Sequence, residues 1–458
     1  MLSVMLSLTI LGGLIIACIV FNLAQGSKSY PPGPPSWPIF GVALNHPKTE
    51  FWRTYADWGR KYGSSSGGLI SFHILGRRMT ILNSAADAFN LLSKRSSIYS
   101  DRPFATMAGR LMRREKSIFC LSYNDRLKTY RKLMHQSFSS TASQMFWDVE
   151  QEEALILVDR ILASPQDLVE HLRRNAAAVI MKVAYGYPVT RNDDHFVAIA
   201  EEGMCYSRIQ IASMASRPGK WLVDSFPILR FVPEWFPGAG FKSKARKWGQ
   251  TLYEQSLEPH NWVKEQIRAG TAVPSFTSAL LQPSDGHFVD AEEEDKILYT
   301  SGALYFAGAD TSVSVVKSFF FTMMMHPIVQ HRAQHEVDLF FMSEHRLPTL
   351  HDQAAFPYVN AILKEVLRWA PASPFGLFHS TASPDVYKGR FLGAEPQPDP
   401  RDYAFGFGRR ICPGQHLAEH SIWIQMVYSL LALTISKAVD ADGKDIEPEI
   451  AFTSGVVS

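Results

Sequence analysis

The segment that most narrows the fold of this chain reads FGFGRRICPG and runs from Phe405 to Gly414. It matches the pattern F-x-x-G-x-R-x-C-x-G at all five fixed positions, and its cysteine, Cys412, is one of only four in the chain. Helical periodicity over Gly414–Lys437 places Cys412 where a glycine-containing loop meets a helix N-terminus. There the helix dipole and Arg410 both favour a thiolate over a thiol. An isolated cysteine is otherwise usually a buried, inert residue, and the complete pattern favours a functional sulfur.

A thiolate in this setting is suited to ligate a haem iron, because its sulfur pushes electron density onto the metal. We therefore predict Cys412 as the axial metal ligand of haem b. Gly408 and Gly414 would let the backbone approach the porphyrin without Cβ contacts. Phe405 would shield the sulfur from water, and Arg410 is a further cofactor-binding candidate.

The composition narrows the class of protein. The 458 residues are 46% hydrophobic and 20% charged, values that exclude a disordered or low-complexity chain. The 46 basic residues barely outnumber the 44 acidic ones, so no nucleic-acid partner is expected. The cysteines, Cys18, Cys120, Cys205 and Cys412, are too few and too scattered for a disulfide scaffold.

The N-terminus predicts a membrane anchor. No charged side chain precedes Lys28, and residues 1–24 are almost wholly apolar. A helix of that length reaches about 36 Å, enough for a hydrocarbon core of roughly 30 Å. A cleaved signal peptide, the alternative, needs a basic segment first, and that segment is missing. Prolines then indicate a stiff linker over 25–40. The main domain, 41–458, is expected on the cytosolic side because basic residues follow the anchor.

Helical periodicity dominates from about residue 126 onward and strands are few, so we predict a mainly α fold with small β-sheets. Leu69–His73 and Met79–Leu82 indicate a β-hairpin, and Ser84 can cap a helix over Ala85–Lys94. The further predicted helices are Arg126–Phe138, Ser143–Ala163, Pro165–Tyr185, Phe196–Met214, Lys242–Ala269, Ala291–Met325, Asp352–Trp369 and Gly414–Lys437.

The stretch Trp221–Phe241 is apolar and aromatic, but Pro227, Pro233 and Pro237 interrupt it, so it cannot form one long helix. Two interpretations stay open from the residues alone. The stretch is either a buried loop or a membrane-facing cap whose aromatic side chains sit at the level of the lipid headgroups.

Two further motifs lie on predicted helices. Residues 307–312 (AGADTS) put a glycine inside a long helix, where it costs about 1 kcal/mol relative to alanine. This glycine marks either a functional groove or a polar kink in which Thr311 bonds back to the preceding turn. Glu365 and Arg368 share one helix face at i and i+3, a spacing that is also typical of a solvated surface pair.

Together these motifs resemble those of the cytochrome P450 haem-thiolate monooxygenases, in particular their membrane-anchored fungal members. The resemblance implies a mainly α P450 fold and a groove beside Gly308 where dioxygen lies over the iron. It assigns Asp310 and Thr311 as the catalytic acid–alcohol pair that relays protons to the oxygen.

The resemblance further implies three basic residues that bind the haem propionates. Arg131 matches the basic position of a W-x-x-x-R pattern, although Leu127 stands where tryptophan is usual. His379 matches a propionate-binding histidine or arginine, and Arg410 is the third candidate. For Arg131 and His379, an exposed charge and a satisfied core histidine stay open as alternatives.

A structural network of buried charges is also implied, in which Glu365 and Arg368 join Arg390. The chain departs from the family pattern at this point. Tyr387 and two more residues run directly into Arg390, where the family carries a few dozen residues, and the expected strand after residues 451–458 is missing. We therefore hypothesise a mis-spliced, mis-predicted or degenerate version of a normal enzyme.

The function implied is a haem-dependent monooxygenase that inserts one oxygen atom from O2 into an apolar small organic substrate, in fungal secondary metabolism or xenobiotic oxidation. Residues 223–238 look like the cap of oxidases related to O-methylsterigmatocystin oxidoreductase, which favours the membrane-facing interpretation and a substrate that arrives from the lipid. The expected location is a single-pass membrane protein of the endoplasmic reticulum, with its catalytic domain in the cytosol.

Electrons are expected from an NADPH–cytochrome reductase, with cytochrome b5 as an additional donor. Lys128, Arg131 and Lys132 would dock the acidic surface of the reductase. Two alternatives stay open: a haem-thiolate desaturase or isomerase, and an inactive, poorly folded haem-binding remnant.

Overall fold

The structure is a computed structural model that describes residues 30–38, 40–47, 49–189, 196, 208–217, 219–387 and 398–452, together with Gly13. The rest of the predicted anchor, the start of the predicted linker and Arg390 lie outside these ranges. Within them, no helix taken singly has the length and apolarity needed to cross a bilayer, and one bent pair, Ala291–Met325 with Pro327–Glu344, has both only when the two are taken together.

The fold is mainly α-helical with one small antiparallel sheet, as predicted. The described helices of nine residues or more, labelled α1 to α10, are Phe51–Tyr62, Asp125–Phe138, Trp147–Ala163, Leu168–Tyr185, Arg208–Ser216, Gly240–Ala269, Ala291–Met325, Pro327–Glu344, Pro357–Trp369 and Gln415–Ala432. Shorter α-helices are Ala85–Ala88, Ser96–Tyr99, Leu222–Ser225, Phe276–Leu281 and Arg401–Ala404.

The ends of α7 coincide with the predicted bounds, and local chemistry explains both. The Asp290 side chain accepts hydrogen bonds from the amides of Glu292 and Glu293, each at 2.8 Å, which satisfies two donors of the first turn. At the other end His326 precedes Pro327, and a residue before proline avoids the helical conformation. The chain therefore bends by 108° between α7 and α8.

The sheet is the predicted hairpin of two strands, β1 (Ile70–Ile74) and β2 (Arg77–Ile81). Leu75 and Gly76 connect them with φ of 47° and 81°, the positive values that a two-residue hairpin turn favours. The other edge of β1 meets the proline-rich segment, because the amide of Ser71 donates to the carbonyl of Pro32 at 2.9 Å. The short sheet is therefore tied to the predicted linker, 25–40.

Several element boundaries differ from the predictions. The predicted helices that became α3, α4 and α9 each begin with a separate 3-10 turn, and the one over Ala85–Lys94 changes to π geometry at Phe89. Helices α1 and α8 are absent from the predicted set. Of the predicted helix Phe196–Met214, only Phe196 and the part from Arg208 onward are described, and α5 covers the latter.

Helix α7 runs through the hydrophobic core. The largest cluster of buried apolar side chains joins α3, α7, α9 and α10, with Phe319 and Trp423 fully enclosed. A second cluster joins the first half of α7 to α2 and α4 and includes Tyr185 and Tyr305. Because α7 is packed on several sides, its middle turns hold fixed positions relative to the Cys412 loop.

Candidate functional site

The loop that carries Cys412 is closed by its own backbone. The amide of Cys412 donates to the carbonyl of Phe405 at 2.8 Å, and α10 begins three residues later. Gly406 and Gly408 have φ of 83° and 53°, in the left-handed region that favours glycine. A Cβ on Gly408 would clash with the carbonyl oxygen of Leu92. The structure therefore explains Gly408 by the approach of the π-helical segment, and its predicted contact with the cofactor stays a prediction.

The Cys412 thiol lies in a protein environment with opposing effects on its charge. Burial raises the pKa of the thiol, whereas a backbone hydrogen bond from Gly414 and the charge of Arg131 lower it. Arg131 is held beside the loop because its Nη1 donates to the carbonyl of Ile411 at 2.8 Å. Phe405 is partly buried against the main core. The predicted thiolate, guanidinium and aromatic shield therefore lie together.

Two of the predicted propionate ligands, Arg410 and His379, hydrogen-bond neighbouring backbone carbonyls, those of Ser100 and Tyr99. Arg410 donates to the carbonyls of Ser100 and Leu121 at 2.7 and 2.6 Å, and burial lowers its pKa to about 10. His379 donates through Nδ1 to the carbonyl of Tyr99 at 2.7 Å. Burial and the nearby arginine charges lower the pKa of His379 to about 4, so its imidazole is neutral at neutral pH.

A third basic residue of this cluster, Arg102, is missing from the sequence prediction. Its Nη1 donates to the carbonyls of Leu377 and Phe378 at 3.0 and 2.5 Å, while its buried Nε has no hydrogen-bond partner in the described structure. Burial and the charge of Arg410 lower the pKa of Arg102 to about 9. No spacing pattern marks this residue in the sequence, because its significance lies in where the fold places it.

These basic groups fit a haem with its two carboxylates. Arg102 and Arg410 are enclosed, both hydrogen-bond only carbonyls among the described residues, and neither forms an ion pair there. Buried cations are costly unless an anion pairs with them. The Nε of Arg102, which has no hydrogen-bond partner in the described structure, is a donor available to such an anion, and Cys412 lies on the same loop as Arg410.

Helix α7 approaches α4 closely at Gly308, near the middle of α7. A Cβ on Gly308 would lie 3.0 Å from Cγ1 of Ile180 and 3.1 Å from its Cδ1, closer than ordinary packing allows. The helical glycine is therefore explained by the close approach of two helices. The predicted oxygen groove beside Gly308 stays a prediction.

In the predicted acid–alcohol pair, Thr311 bonds back to the preceding helical turn, which was the alternative to a functional groove. The hydroxyl of Thr311 donates to the carbonyl of Ala307 at 2.7 Å, one turn back on α7. Asp310 is partly enclosed, and burial raises the pKa of its carboxyl while the charge of Arg173 opposes that shift. A raised pKa lets Asp310 hold a proton that an exposed aspartate would have lost.

Glu365 and Arg368 form the predicted pair but not the predicted buried network. Arg368 donates to both carboxylate oxygens of Glu365 at 2.7 and 2.6 Å, yet the two side chains are 42% and 61% exposed. The opposite face of α9 carries the buried Leu363 and Val366, so the pair points outward. Burial of this pair was therefore a wrong expectation, and its third member, Arg390, lies outside the described residues.

The apolar segment before α6 is exposed at its tip. Ile228, Phe231 and Trp235 are 74%, 70% and 81% exposed. Its base is anchored, because the buried carboxylate of Asp224 accepts a hydrogen bond from the amide of Met107 at 2.8 Å. The exposure of these three side chains contradicts one of the two interpretations of this stretch, that it is a buried loop.

Comparison with known proteins identifies the family. The Cytochrome P450 family model matches residues 31–397. Cytochrome P450 monooxygenase 208 of Postia placenta is 37% identical, over 97% of this chain and 92% of that protein. Cytochrome P450 monooxygenases claR and claT of Ampulloclitocybe clavipes are each 35% identical, over 97% and 98% of this chain and 87% and 94% of their own lengths.

The chain belongs to the cytochrome P450 family, whose members are haem-thiolate monooxygenases. The family match ends before Cys412. The alignment with the Postia placenta protein covers 97% of this chain, and Cys412 lies further from either end than the remaining 3% can reach, so that alignment includes Cys412. That alignment extends over 484 positions, 26 more than the 458 residues of the chain. At least 26 positions of the relative therefore have no counterpart in this chain, and the place of the segment predicted to be missing stays a prediction.

Proposed function

We propose that this chain is a haem-dependent monooxygenase that inserts one oxygen atom from O2 into an apolar small organic substrate, in fungal secondary metabolism or xenobiotic oxidation. The observation that carries the proposal is the pairing of a closed cysteine loop with two enclosed arginines, Arg102 and Arg410, that form no ion pair among the described residues. Haem, when bound, supplies the activation of dioxygen.

The protein's own residues hold and position the reactants. The sulfur of Cys412 would hold the iron of a bound haem, and Arg131 would offset its negative charge from beside the loop. Arg102 and Arg410 would donate to the carboxylates of a bound haem, and the neutral His379 lies near both arginines. Asp310, whose burial raises the pKa of its carboxyl, is the proposed proton carrier near the middle of α7.

Reconstitution tests the monooxygenase directly. The full chain, in phospholipid vesicles with an NADPH–cytochrome reductase, is expected to convert a panel of biphenyl, naphthalene and tetralin into products one oxygen atom heavier. With 18O2 the added oxygen carries the label, and omission of the reductase removes the product. Products that lose two hydrogens without gaining oxygen would support the desaturase alternative. Haem-loaded protein that oxidises neither the panel nor 2-naphthoate, even with chemical oxidants, would favour the inactive haem-binding remnant.

We further propose that electrons enter across the surface of α2. Lys128 and Lys132 are exposed there, and Arg409 is exposed on the adjoining cysteine loop. Lys128 pairs with Asp125 at 2.8 Å, whereas Arg131 turns inward to the loop. Exposed charges of this kind act chiefly on the rate of association, so an acidic reductase would bind more slowly as salt rises.

The exposed segment before α6 supports a second contact with the membrane, in addition to the predicted anchor of a single-pass protein in the endoplasmic reticulum. Large apolar side chains gain about 1.5–3 kcal/mol each when they leave water. Arg230 lies over the Phe231 ring at 4.5 Å, and Lys242 donates to the carbonyl of Val232 at 2.9 Å, so basic groups border the apolar tip. Cations beside aromatic rings suit a lipid headgroup layer.

Brominated lipids test this contact, because bromine quenches tryptophan fluorescence only at close range. In vesicles with brominated acyl chains, the full chain is expected to lose fluorescence, and Trp235→Phe is expected to remove most of that loss. Trp369→Phe is the matched control, since Trp369 is 36% exposed but lies at the end of α9. Equal quenching in the parent chain and in Trp235→Phe would contradict the contact.

A further inference from the structure

A small cavity lies between the loop 113–119, α6 and the first half of α7. Its volume is about 40 Å³, room for one carboxylate group or a water molecule. Two glycines make its walls tight, since a Cβ on Gly302 would clash with Ser256 and one on Gly249 with the carbonyl of Met112. The cavity is therefore bounded by rigid elements.

Arg114 and an aromatic pair form one side of this cavity. The guanidinium of Arg114 lies 5.6 Å from the centre of the Phe306 ring, and the Phe119 ring lies 5.2 Å from that of Phe306. The position of Arg114 is set by its backbone, whose amide donates to the carbonyl of Gly109 at 2.7 Å at the end of the π-helical segment Thr106–Leu111. Such π turns occur frequently at functional sites.

Among the described residues that line the cavity, the charged ones are Arg113 and Arg114. Asp295 already pairs with both Lys116 and Arg126. No carboxylate of the described chain pairs with Arg114, which is partly buried over the aromatic ring. Its five donors in a planar fork match a carboxylate better than any other small anion except phosphate. Tyr299 is a further lining residue.

The cavity shares a helix face with the predicted acid. Gly302, Phe306 and Asp310 follow one another at intervals of four residues on α7, and residues at that spacing lie one above the other. Each interval advances about 6 Å along the helix. A flat molecule anchored at Arg114 and lying on Phe306 would therefore reach the turn that carries Asp310.

We infer that this cavity binds the carboxylate of the substrate and that Arg114 determines specificity for it, so that the substrate is an aromatic or apolar carboxylic acid. The inference rests on the proposed function, since it places the remainder of that acid toward the middle of α7. Arg114 anchors the ligand and takes no part in bond making. A neutral analogue of the same shape leaves the guanidinium unpaired and binds more weakly.

Calorimetry on the full haem-loaded chain tests this assignment with 2-naphthoate and its neutral isostere 2-naphthamide as probes. The parent chain is expected to bind the acid at least about tenfold more tightly than the amide, as a charge-assisted hydrogen bond implies. Arg114→Gln is expected to remove that preference. Arg110→Gln, a change in an exposed arginine that does not line the cavity, is expected to keep it. Equal affinities in the parent chain, no binding of the acid, or an unchanged preference in Arg114→Gln would each overturn the inference.

The carbon monoxide spectrum of the same reduced samples reports the proposed function separately. A normal haem-thiolate spectrum with equal affinities for the two probes overturns the carboxylate site alone. A lost spectrum with an acid preference that still depends on Arg114 overturns the haem-thiolate function alone, because calorimetry measures binding without reference to the iron.

Discussion

Replacement of Cys412 by serine is expected to abolish the red-shifted Soret band that carbon monoxide produces with reduced thiolate-ligated haem, and to bring product formation to background. Serine keeps the size of the side chain but gives a far poorer ligand than a thiolate. The loop should survive the change, since it is closed by the backbone bond between residues 412 and 405. Absorbance of the reduced, carbon monoxide-treated protein provides the measurement.

Cys120→Ser is the matched control for this experiment. Cys120 is the other free cysteine among the described residues and is also partly buried. It lies outside the 405–414 pattern, so its variant should keep both the spectrum and the activity. A red-shifted band that persists in Cys412→Ser, or that disappears in Cys120→Ser, would refute the assignment of the axial ligand.

Arg102→Met is expected to weaken haem binding without lowering the stability of the apoprotein. Haem should dissociate at least about tenfold faster, because a charge-assisted hydrogen bond to a carboxylate is lost. The apoprotein should be as stable as the parent or more stable, since methionine removes a buried cation whose Nε has no partner in the described structure. Haem transfer to apomyoglobin gives the first quantity, and thermal unfolding of the apoprotein gives the second.

The two measurements separate a cofactor ligand from a structural residue. Arg110→Met, which changes an exposed arginine in the following segment, should leave haem dissociation unchanged. If Arg102→Met lowers the stability of the apoprotein as well, its hydrogen bonds to Leu377 and Phe378 hold the fold and the residue is structural. Unchanged haem dissociation would remove Arg102 from the propionate site.

Local patterns accounted for much of what was predicted correctly. The bounds of α7 follow from an N-terminal aspartate and a C-terminal proline, and the hairpin follows from two β-prone runs around Gly76. The family was accessible for a similar reason, since the Phe405–Gly414 pattern is contiguous and contains a rare residue. These signals depend on neighbours within a few positions of the chain.

Errors arose where a residue's role depends on what lies across the fold. The spacing of Glu365 and Arg368 predicts that they pair but not whether that face of α9 is covered, and it is exposed. The helical Gly308 marks a special position, but only the structure shows that Ile180 of α4 occupies the space beside it. Burial and packing are decided by contacts between distant segments, which periodicity does not encode.

The primary sequence was sufficient to predict the fold class, the cysteine loop and the family, because each depends on short-range patterns of residue type and spacing. Tertiary packing alone revealed that Arg102 is buried with an unused donor and that Arg114 lies over Phe306 without a carboxylate in the described chain. A charged side chain acquires such a role when segments distant in the sequence bury it without a counter-charge. Neither the residue type nor the neighbouring residues in the sequence predict that burial.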